Sequence, residues 1–508
     1  MKKLAVFTFL VMSLFAFAVN ITVFHINDTH AHAWPFADSN GNMIGGFSTI
    51  ATMIDAERKV NPNVLFLHAG DINTGVPESD LVDAAADILA LNRMKLDAMA
   101  VGNHEFDKSR DVLKKQMLWA KFDFLSANIY KDGQPFFTPY IIKEVGGVRV
   151  AIVGFTTEHT KILENIYSED LEFKNVIEVA KQIIPEVRKQ ADVVIALTHL
   201  GVGQGYSDLY TTADQLAQNV EGIDLIIDGH SHTNMTSPMV VNGVPIVQAF
   251  EWGKVLGRAD IDVENGKVVK IDWQAIPVVQ SKLVGKDEAG KNVYETVVKE
   301  DLAVKSVLSY FKQLGGSKLD TVIGTTQILL NGERADVRAK TTNLANLIAD
   351  SMIWKTGADV ALTNGGGIRA SIKPGNITIR DVLTVLPFGN TLYVIELKGS
   401  DLQKVFEYAA TIPNGQGGFL QVGGATWKAE GGKLTEVLVG GKPIDPEKTY
   451  KVVTNDYMAG GGDGYTMLKG QPGYNTFYVM ADVLTEYIQK VLGGNVTNYD
   501  DKPRVERK

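Results

Sequence analysis

The sequence is organised around the stretch Val101-Gly102-Asn103-His104-Glu105-Phe106-Asp107. It continues a short apolar run at residues 98–101, which is typical of a buried strand. Several polar side chains therefore lie just past the end of a predicted strand. In open α/β sheets, ligands bind at this edge, outside the carboxyl ends of the strands. The stretch therefore predicts a functional site.

Four other predicted strands of the first half end in polar clusters of the same kind. Strands alternate with helical patterns from about residue 20 to 250, which predicts a mostly parallel sheet covered by helices. Because parallel strands end at one edge, residues far apart in sequence converge there. The clusters are Asn27-Asp28-Thr29-His30, Gly70-Asp71, Thr198-His199 and Gly229-His230-Ser231-His232.

Together the five clusters predict a site for two divalent metal ions. Seven ligands are too many for one tetrahedral zinc ion, but they suit two ions of higher coordination. Asp71 is the natural bridge because it stands alone on its loop. Imidazole and carboxylate ligands without sulfur favour Mn, Zn, Co or Fe over copper(I) or calcium. The predicted ligands are Asp28, His30, Asp71, Asn103, His199, His230 and His232.

Each of these residues also has an ordinary structural interpretation. A single histidine after a strand is more often a surface or capping residue than a ligand, and Asp71 alone fits a helix N-cap. The grouping favours the metal site, because five of the nine histidines follow strands within such clusters. His25 lies inside a predicted strand, and His68 and His159 lack these neighbours, so all three are predicted to be structural.

Composition excludes several classes of protein. The 508 residues are 45% hydrophobic and 21% charged, as in ordinary globular proteins, and their number predicts two or three domains. A net charge of −9 without long basic runs argues against a nucleic-acid polymer as partner. There is no cysteine, which excludes disulfides, zinc ribbons and thiol nucleophiles.

The first 18 residues have the pattern of a secretory signal. Lys2 and Lys3 precede an apolar run that ends in Ala16-Phe17-Ala18. The run of about 15 residues is shorter than the roughly 20 needed to span a bilayer, although an uncleaved anchor is the alternative. We therefore expect residues 1–18 to be removed. The mature protein is expected to be periplasmic or secreted, without stable membrane insertion.

The five clusters resemble the motif blocks of the calcineurin-like metallophosphoesterases in both order and content. The resemblance implies a two-metal site on a double-sheet α/β sandwich flanked by helices, whereas alternation alone predicts a single open sheet. It also implies that His104 and Asp107 are the catalytic pair. In that pair His104 stabilises the phosphoryl group and assists the departing oxygen, and Asp107 orients the imidazole.

The second half of the chain is organised differently. Alternation at residues 258–272 predicts a hairpin around Asn265-Gly266. Residues 302–314 have helical spacing and precede Gly315-Gly316, a predicted helix stop. We therefore predict a catalytic domain at residues 19–300, a linker helix at 301–316 and a separate C-terminal α/β substrate-binding domain at 317–508.

Four loop segments of the last domain combine glycine runs, arginines and aromatic residues. Glycine runs let the backbone approach a ligand closely, although by themselves they are more often simple loops. The arginines suit an anionic ligand, and Phe388 and Tyr457 suit a flat ring between them, unless both belong to the core. The segments are residues 331–338, 364–369, 386–390 and 455–465.

These segments resemble the C-terminal domain of the bacterial and ecto-5′-nucleotidases, the family that includes the periplasmic UDP-sugar hydrolase. The resemblance covers nearly the whole mature chain in the same domain order. It implies that one domain binds a nucleotide, swings about the linker and delivers the phosphate to the metals. The implied substrate-binding residues are Arg334, Arg338 and Arg369 for the anionic part, Phe388 and Tyr457 for stacking the base, Asn390 and Gly418 for the base pocket, and Asp463 for the ribose hydroxyls.

The sequence thus predicts an exported 5′-nucleotidase that releases phosphate from nucleoside 5′-monophosphates. Activity on other nucleotides and UDP-sugars stays open, as does the choice between a monomer and a homodimer. The alternatives are a 2′,3′-cyclic-nucleotide phosphodiesterase with 3′-nucleotidase activity, a thiosulfohydrolase, and a non-enzymatic nucleotide-binding protein. The complete metal set argues against the last, because binding alone has no use for a metal-activated water.

Overall fold

The computed structural model describes residues 18–38, 40–163, 168, 170–203, 210–497, 499 and 502–508. The predicted signal segment, apart from Ala18, lies outside these ranges. Within them, every helix falls short of the combination of length and hydrophobicity that crossing a bilayer demands.

Two six-stranded sheets pack face to face in the N-terminal domain. Ile21 and Leu67 of the first sheet and Ile195 and Leu197 of the second lie in one buried core between the sheets. The first sheet has the strand order Lys267–Pro277, Val255–Glu264, Ala18–Ile26, Val64–His68, Ala98–Ala100 and Asp123–Leu125. The second has the order Met239–Val241, Val244–Val247, Leu225–Ile227, Val193–His199, Val148–Thr156 and Tyr140–Val145.

This sandwich confirms the fold that the family resemblance implies. The prediction of a single open sheet, made from alternation alone, is wrong. The chain leaves the first sheet after Asp123–Leu125, builds the second, and returns with Val255–Glu264. The returning strand pairs antiparallel with Ala18–Ile26, some 240 residues earlier, from Ala18–Glu264 to His25–Gly257. Local alternation of strands and helices does not specify such distant pairing, and therefore does not distinguish one sheet from two.

Helices cover the outer faces of both sheets. Phe47, Ile50 and Ile54 of one helix are fully buried against the first sheet. Pro77–Asp80 and Ala85–Met94 are separate helices, and between them Ala84 has a φ of 59°. The helices are Phe47–Arg58, Pro77–Asp80, Ala85–Met94, Arg110–Trp119, Thr160–Leu163, Val176–Arg188 and Ala213–Asn219, with a 3₁₀ turn at His104–Phe106.

Two smaller sheets complete this domain. One contains Asn292–Thr296, Val279–Lys286, Met43–Ile44 and Phe36–Ala37, and the other contains Glu172–Phe173, Ile129–Lys131 and Gln134–Pro135.

A single long helix, Leu302–Leu319, connects the two domains. The carboxylate of Asp301 caps it by accepting a hydrogen bond from the N–H of Val304 at 2.8 Å. The helix packs against Phe47–Arg58 and Ala85–Met94 of the N-terminal domain. The predicted stop at Gly315-Gly316 is wrong: the helical hydrogen bonding continues, and buried Leu319 anchors the last turn.

The C-terminal domain is built on a five-stranded sheet with helices on both faces. Asn343–Thr356 and Met480–Glu486 cover one face, and Gly399–Thr411 covers the other. The sheet has the order Leu420–Gly423, Val360–Asn364, Thr449–Asn455, Thr391–Lys398 and Gly473–Val479. Smaller sheets contain Val322–Thr326 with Gly375–Thr378, and Lys442–Pro443, Lys433–Val439, Ala425–Glu430 and Val505–Arg507. Short helices are Arg334–Val337, Gly365–Gly367, Ile379–Val385, Asp456–Ala459, Gly462–Gly464, Thr466–Leu468 and Tyr487–Val491.

Replacing Gly316 by alanine tests whether the linker helix is continuous. Gly316 lies inside the helix and a Cβ there meets open space, so Gly316→Ala is expected to stabilise the protein by about 0.5–1 kcal/mol. The control is Gly357→Ala, where a Cβ also meets open space but φ is 64°. Alanine in that left-handed conformation is expected to destabilise by about 1–2 kcal/mol. Urea unfolding measures both, and equal destabilisation would contradict a continuous helix.

Candidate active site

The polar clusters that follow five strands converge at one edge of the sandwich. Ala18–Ile26, Val64–His68 and Ala98–Ala100 of the first sheet end there, together with Val193–His199 and Leu225–Ile227 of the second. The structure therefore brings together all seven side chains that the sequence predicts as metal ligands: Asp28, His30, Asp71, Asn103, His199, His230 and His232.

One group of donor atoms contains Asp28, His30 and His232. His30 Nε2 lies 3.1 Å from His232 Nε2, which in turn lies 3.2 Å from Asp28 Oδ1. Two imidazole nitrogens and a carboxylate oxygen thus face one another in a buried position.

A second group contains Asp71, His199 and His230. Asp71 Oδ2 lies 3.0 Å from His199 Nε2 and 3.9 Å from His30 Nε2, so this oxygen faces both groups. Asn103 joins the second group, because its Oδ1 lies 2.9 Å from His230 Nδ1.

These separations fit donor atoms arranged around divalent cations. In an octahedral site with bonds of about 2.1 Å, neighbouring ligand atoms lie about 3 Å apart. The shortest donor pairs in both groups are separated by 2.9 to 3.2 Å. Imidazole, carboxylate and amide donors without sulfur suit Mn, Zn or Co. The residues present therefore fit the metal ions that the sequence predicts.

Hydrogen bonds hold the second ring nitrogen of three of these histidines. An imidazole that donates from Nδ1 presents the lone pair of Nε2 to a cation, and the acceptor fixes the ring orientation. The pairs are His30 with the carbonyl of Asn73 (3.1 Å), His199 with the carbonyl of Ala69 (2.7 Å) and His232 with the carboxylate of Glu251 (2.6 Å).

Glu105 ties the Asp71 loop to the Asn103 loop. Its buried carboxylate accepts hydrogen bonds from the N–H groups of Asp71 and Ile72 at 3.0 Å each and of Gly102 at 2.6 Å. Burial, assisted by the charge of Asp71, raises the pKa of Glu105 to about 7. Glu105 belongs to the decisive sequence stretch, but nothing in its type or spacing marks it as a loop anchor.

Close backbone packing explains the glycines of the motifs. A Cβ at Gly102 would lie 2.2 Å from Asp71 Oδ1, and one at Gly229 would lie 2.6 Å from the carbonyl of Ala69. Five predicted ligands also have positive φ, a region that non-glycine residues rarely adopt and that concentrates at functional sites. They are Asp28 (48°), His30 (45°), Asp71 (62°), His230 (78°) and His232 (51°).

The electrostatics of the centre favour a cation. Burial, reinforced by neighbouring positive groups, holds the pKa values of His30 and His230 well below the ordinary value, so both rings are neutral. Burial also lowers the pKa of His199, but the carboxylate of Asp71 outweighs it and raises that pKa to about 10. Positive charge is therefore stabilised next to Asp71.

The predicted catalytic pair lies beside these donors. His104 Nδ1 lies 2.8 Å from Asp107 Oδ2, and the hydroxyl of Thr74 donates to the same carboxylate. His104 Nε2 lies 4.0 Å from Asp71 Oδ2. Burial lowers the pKa of His104, but the charges of Asp107 and Asp71 outweigh burial and hold the pKa above its ordinary value. His104 is therefore an oriented imidazole that readily carries a proton.

Three residues of the C-terminal domain reach this centre. Arg334 Nη1 lies 2.9 Å from His232 Nδ1. The ring of Phe388 stacks on that of His104 at 5.8 Å, with an interplanar angle of 29°. The guanidinium of Arg369 lies 5.6 Å from the centre of the Phe388 ring. Two predicted anion-binding arginines thus lie next to the predicted catalytic histidine and a predicted metal ligand.

A cavity of about 420 Å³ leads from the centre into the C-terminal domain. In its wall, the carboxylate of Asp463 accepts a hydrogen bond from Asn364 Nδ2 at 2.7 Å, and the N–H of Asp463 donates to the Tyr457 hydroxyl at 3.0 Å. All eight predicted substrate-binding residues line this cavity: Arg334, Arg338, Arg369, Phe388, Asn390, Gly418, Tyr457 and Asp463.

Sequence reasoning missed several residues of the cavity and its surroundings. Asn364 has a signal, since it begins the glycine run of one predicted loop. His159, predicted to be structural, instead lines the cavity and stacks on Tyr210. Its position three residues after the strand Val148–Thr156 follows the same rule as the predicted ligands. Glu251 has no comparable signal.

The other two histidines that were predicted to be structural lie outside the cavity. His25 Nε2 accepts a hydrogen bond from Trp273 Nε1 at 2.9 Å, and His68 Nε2 lies 3.0 Å from the Thr29 hydroxyl. Burial lowers the pKa values of His25 and His68 to about 3, so both rings are neutral. Their contacts are those of buried packing residues.

Comparison with known proteins finds relatives over nearly the whole chain. Residues 21–234 match the family described as calcineurin-like phosphoesterase, and residues 322–470 match the 5′-nucleotidase C-terminal domain. Protein UshA of Yersinia enterocolitica is 37% identical, over 96% of this chain and 94% of its own. A 5′-nucleotidase of Vibrio vulnificus is 38% identical, over 92% of this chain and 90% of its own. The crystal structure of a 5′-nucleotidase precursor from Thermus thermophilus matches with a TM-score of 0.83 and 34% identity, over 96% of this chain and 99% of that one.

Weakening the hydrogen bond between His232 and Glu251 is expected to weaken metal binding. Glu251→Gln keeps the shape of the side chain but removes the charge that orients the imidazole, so Mn²⁺ affinity should fall about 10- to 100-fold. Isothermal titration of the metal-free protein with Mn²⁺ measures the change. Glu57→Gln is the control, because Glu57 also forms an ion pair, with Arg258 at 2.8 Å, but lies outside the site. Equal affinities for both variants would contradict the assigned role.

Proposed function

The chain belongs to the 5′-nucleotidase family of calcineurin-like phosphoesterases, and from this premise we propose that it hydrolyses nucleoside 5′-monophosphates to a nucleoside and inorganic phosphate. One observation carries the proposal. The predicted catalytic pair and all eight predicted nucleotide-binding residues line the same cavity, although they come from different domains. A nucleotide can therefore contact both sets of residues at once.

Two divalent ions are part of the proposal. Asp28, His30 and His232 would hold one, while Asn103, His199 and His230 would hold the other, with Asp71 shared between them. When bound, such a pair of ions activates a water nucleophile and clamps the phosphate oxygens for in-line displacement. The donor chemistry favours Mn, Zn or Co.

The arginines hold the negative charge of the phosphate against this centre. Arg369 lies beside Phe388, and Arg334 lies next to His232. Guanidinium groups bind phosphate oxygens bidentately, and such charge-assisted hydrogen bonds are strong where water is excluded. Arg338, also in the cavity wall, adds a third positive charge on the nucleotide side.

His104 assists departure of the nucleoside. The P–O bond to the ribose breaks as the water oxygen bonds to phosphorus, and the departing O5′ requires a proton. Asp107 holds Nδ1 of His104 at 2.8 Å, so the ring presents Nε2 to the reacting group. Because the pKa of His104 lies above its ordinary value, the charged form that donates the proton is available near neutral pH.

The base and ribose occupy the part of the cavity that the C-terminal domain lines. Phe388 and Tyr457 hold the base between their rings, with Asn390 and Gly418 along its edge. Asp463 accepts hydrogen bonds from the ribose hydroxyls. Its carboxylate is already positioned by Asn364, which limits the ordering required when substrate binds.

Export is also proposed, on the evidence of the N-terminal sequence. Residues 1–18 combine a charged start, an apolar core and small residues at the exit, as secretory signals do. Expression of the full chain followed by cell fractionation and N-terminal sequencing would identify the compartment and the mature start.

Phosphate release from AMP tests the proposal. We expect turnover with Mn²⁺ that chelator abolishes, and a loss of about 10²- to 10⁴-fold in kcat for His104→Asn at unchanged metal content. The loss is expected because the departing oxygen no longer receives a proton. The same substitution at His25, a buried histidine that bonds to Trp273, serves as control and should leave kcat unchanged.

Two further substrates separate the alternatives. Preference for 2′,3′-cyclic AMP over AMP would assign the protein to the phosphodiesterase and 3′-nucleotidase group with the same site residues. Turnover of neither nucleotide by the metal-loaded protein would contradict nucleotide hydrolysis altogether. Cleavage of UDP-glucose alongside AMP would extend the substrate range to nucleotide sugars.

A further inference from the structure

Two side chains of the N-terminal domain line the nucleotide cavity without a role in the steps above. They are His159 and Tyr210, whose rings stack with centroids 3.8 Å apart and an interplanar angle of 16°. We propose that Tyr210, supported by His159, contacts the ribose of the substrate and determines specificity for the sugar. The inference rests on the proposed nucleotidase function and adds a residue to it.

Hydrogen bonds between neighbouring residues fix this ring pair. Glu158, which precedes His159, accepts from the N–H and the hydroxyl of Thr211, which follows Tyr210, at 3.2 and 2.8 Å. Glu158 also accepts from the N–H of Val176 at 2.9 Å, at the start of a long helix. The two segments that carry the rings are therefore joined directly beside the stack. A wall that is ordered before substrate arrives costs little entropy on binding.

The His159 ring lies close to the metal-type centre, by which we mean the cluster of predicted metal ligands around Asp71. The ring of His159 lies 6.4 Å from that of His230, at an interplanar angle of 86°. The rings of His104 and Phe388, which line the same cavity, lie 5.8 Å apart. Two aromatic pairs therefore line the cavity close to the predicted metal ligands.

The segment that follows His159 packs against the proposed ribose site. Thr160–Leu163, which directly follows His159, packs on the turn Gly462–Gly464 that contains Asp463. Tyr210 and Asp463 line the same cavity. With its phosphate at the metal-type centre and its base deeper in the C-terminal domain, a nucleotide has its ribose between these two regions. Tyr210 and Asp463 then approach the sugar from different domains.

Both rings offer polar atoms to a ligand. Burial, together with the nearby Tyr408 and Asp463, raises the pKa of Tyr210 to about 12, so its hydroxyl keeps the proton and can donate it in a hydrogen bond. Burial lowers the pKa of His159 to about 4, so that ring is neutral. Its Nδ1 is buried and has no hydrogen-bond partner among the described residues. Buried polar atoms are nearly always paired, so a ligand in the cavity is the natural partner.

The chemical consequence is discrimination between sugars. A ribose hydroxyl that receives a hydrogen bond from Tyr210 favours the ribonucleotide over the analogue that lacks this hydroxyl, since the analogue leaves a buried polar group unpaired. A phosphate ester without a sugar should not depend on the Tyr210 hydroxyl. In this arrangement of the domains, Tyr210 contacts the ribose while the phosphate lies at the metal-type centre. The contact therefore contributes to turnover as well as to binding.

Steady-state kinetics of the Mn²⁺-loaded protein test the proposal with AMP, 2′-deoxy-AMP, 3′-deoxy-AMP and p-nitrophenyl phosphate. Tyr210→Phe removes only the hydroxyl and keeps the stack on His159. We expect kcat/KM for AMP to fall about five- to tenfold, and that for one of the two deoxynucleotides to fall less than about twofold. The insensitive analogue identifies the hydroxyl that Tyr210 contacts. Tyr310→Phe is the control, because Tyr310 is 60% exposed on the linker helix.

The possible outcomes separate the inference from the function on which it rests. Equal falls for AMP, both deoxynucleotides and p-nitrophenyl phosphate would mean that Tyr210 supports the site only structurally, and would overturn the inference. If Tyr210→Phe leaves kcat/KM for AMP and for both deoxynucleotides unchanged, the inference is overturned while the nucleotidase function stays intact. A wild-type protein that cleaves p-nitrophenyl phosphate but no nucleotide would overturn both. His159→Ala gives a second test, since loss of the stack should raise KM for AMP more than for p-nitrophenyl phosphate.

Discussion

The carboxylate of Asp71 is buried where loops from both sheets meet, with His199 at 3.0 Å and His30 at 3.9 Å. A buried carboxylate is costly unless positive charge and hydrogen-bond donors surround it. The nearby histidines outweigh burial and hold the pKa of Asp71 well below its usual range. Gly102 leaves room for the carboxylate and Glu105 anchors its loop, so much of the local structure follows from keeping this one charge in place.

The second constraint is that neither domain contains the whole site. The N-terminal domain supplies the metal-type donors and His104, whereas the C-terminal domain supplies arginines and the ring of Phe388 that covers His104. Contacts outside the cavity also join the two domains. Arg380 of the C-terminal domain contacts Glu78 of the N-terminal domain, and its guanidinium lies 2.8 Å from the carboxylate of Asp320 at the end of the linker helix. The residues proposed for chemistry and those proposed for recognition are thus separated in sequence but line one cavity.

Local sequence predicts where the clustered polar side chains lie better than it predicts how distant strands pair. An apolar run followed by polar residues is a short-range pattern, and it located Asp28 and His230 correctly at strand ends. The number of sheets depends on pairing between strands some 240 residues apart, which no local pattern encodes. The predicted helix stop at Gly315-Gly316 failed because glycine is tolerated where packing, here at Leu319, continues beyond it. His159 was predicted to be structural because it lacks the neighbours of the five clusters, yet it lines the cavity.

A crystal structure with Mn²⁺ and adenosine, with anomalous scattering recorded at the manganese edge, tests the central claim most directly. The claim is that Asp71 is shared by two ions in a site completed by both domains. It predicts two anomalous peaks about 3.5–4 Å apart on either side of Asp71, and the adenine ring between Phe388 and Tyr457. A single peak, peaks away from Asp71, or adenosine bound outside the shared cavity would contradict it.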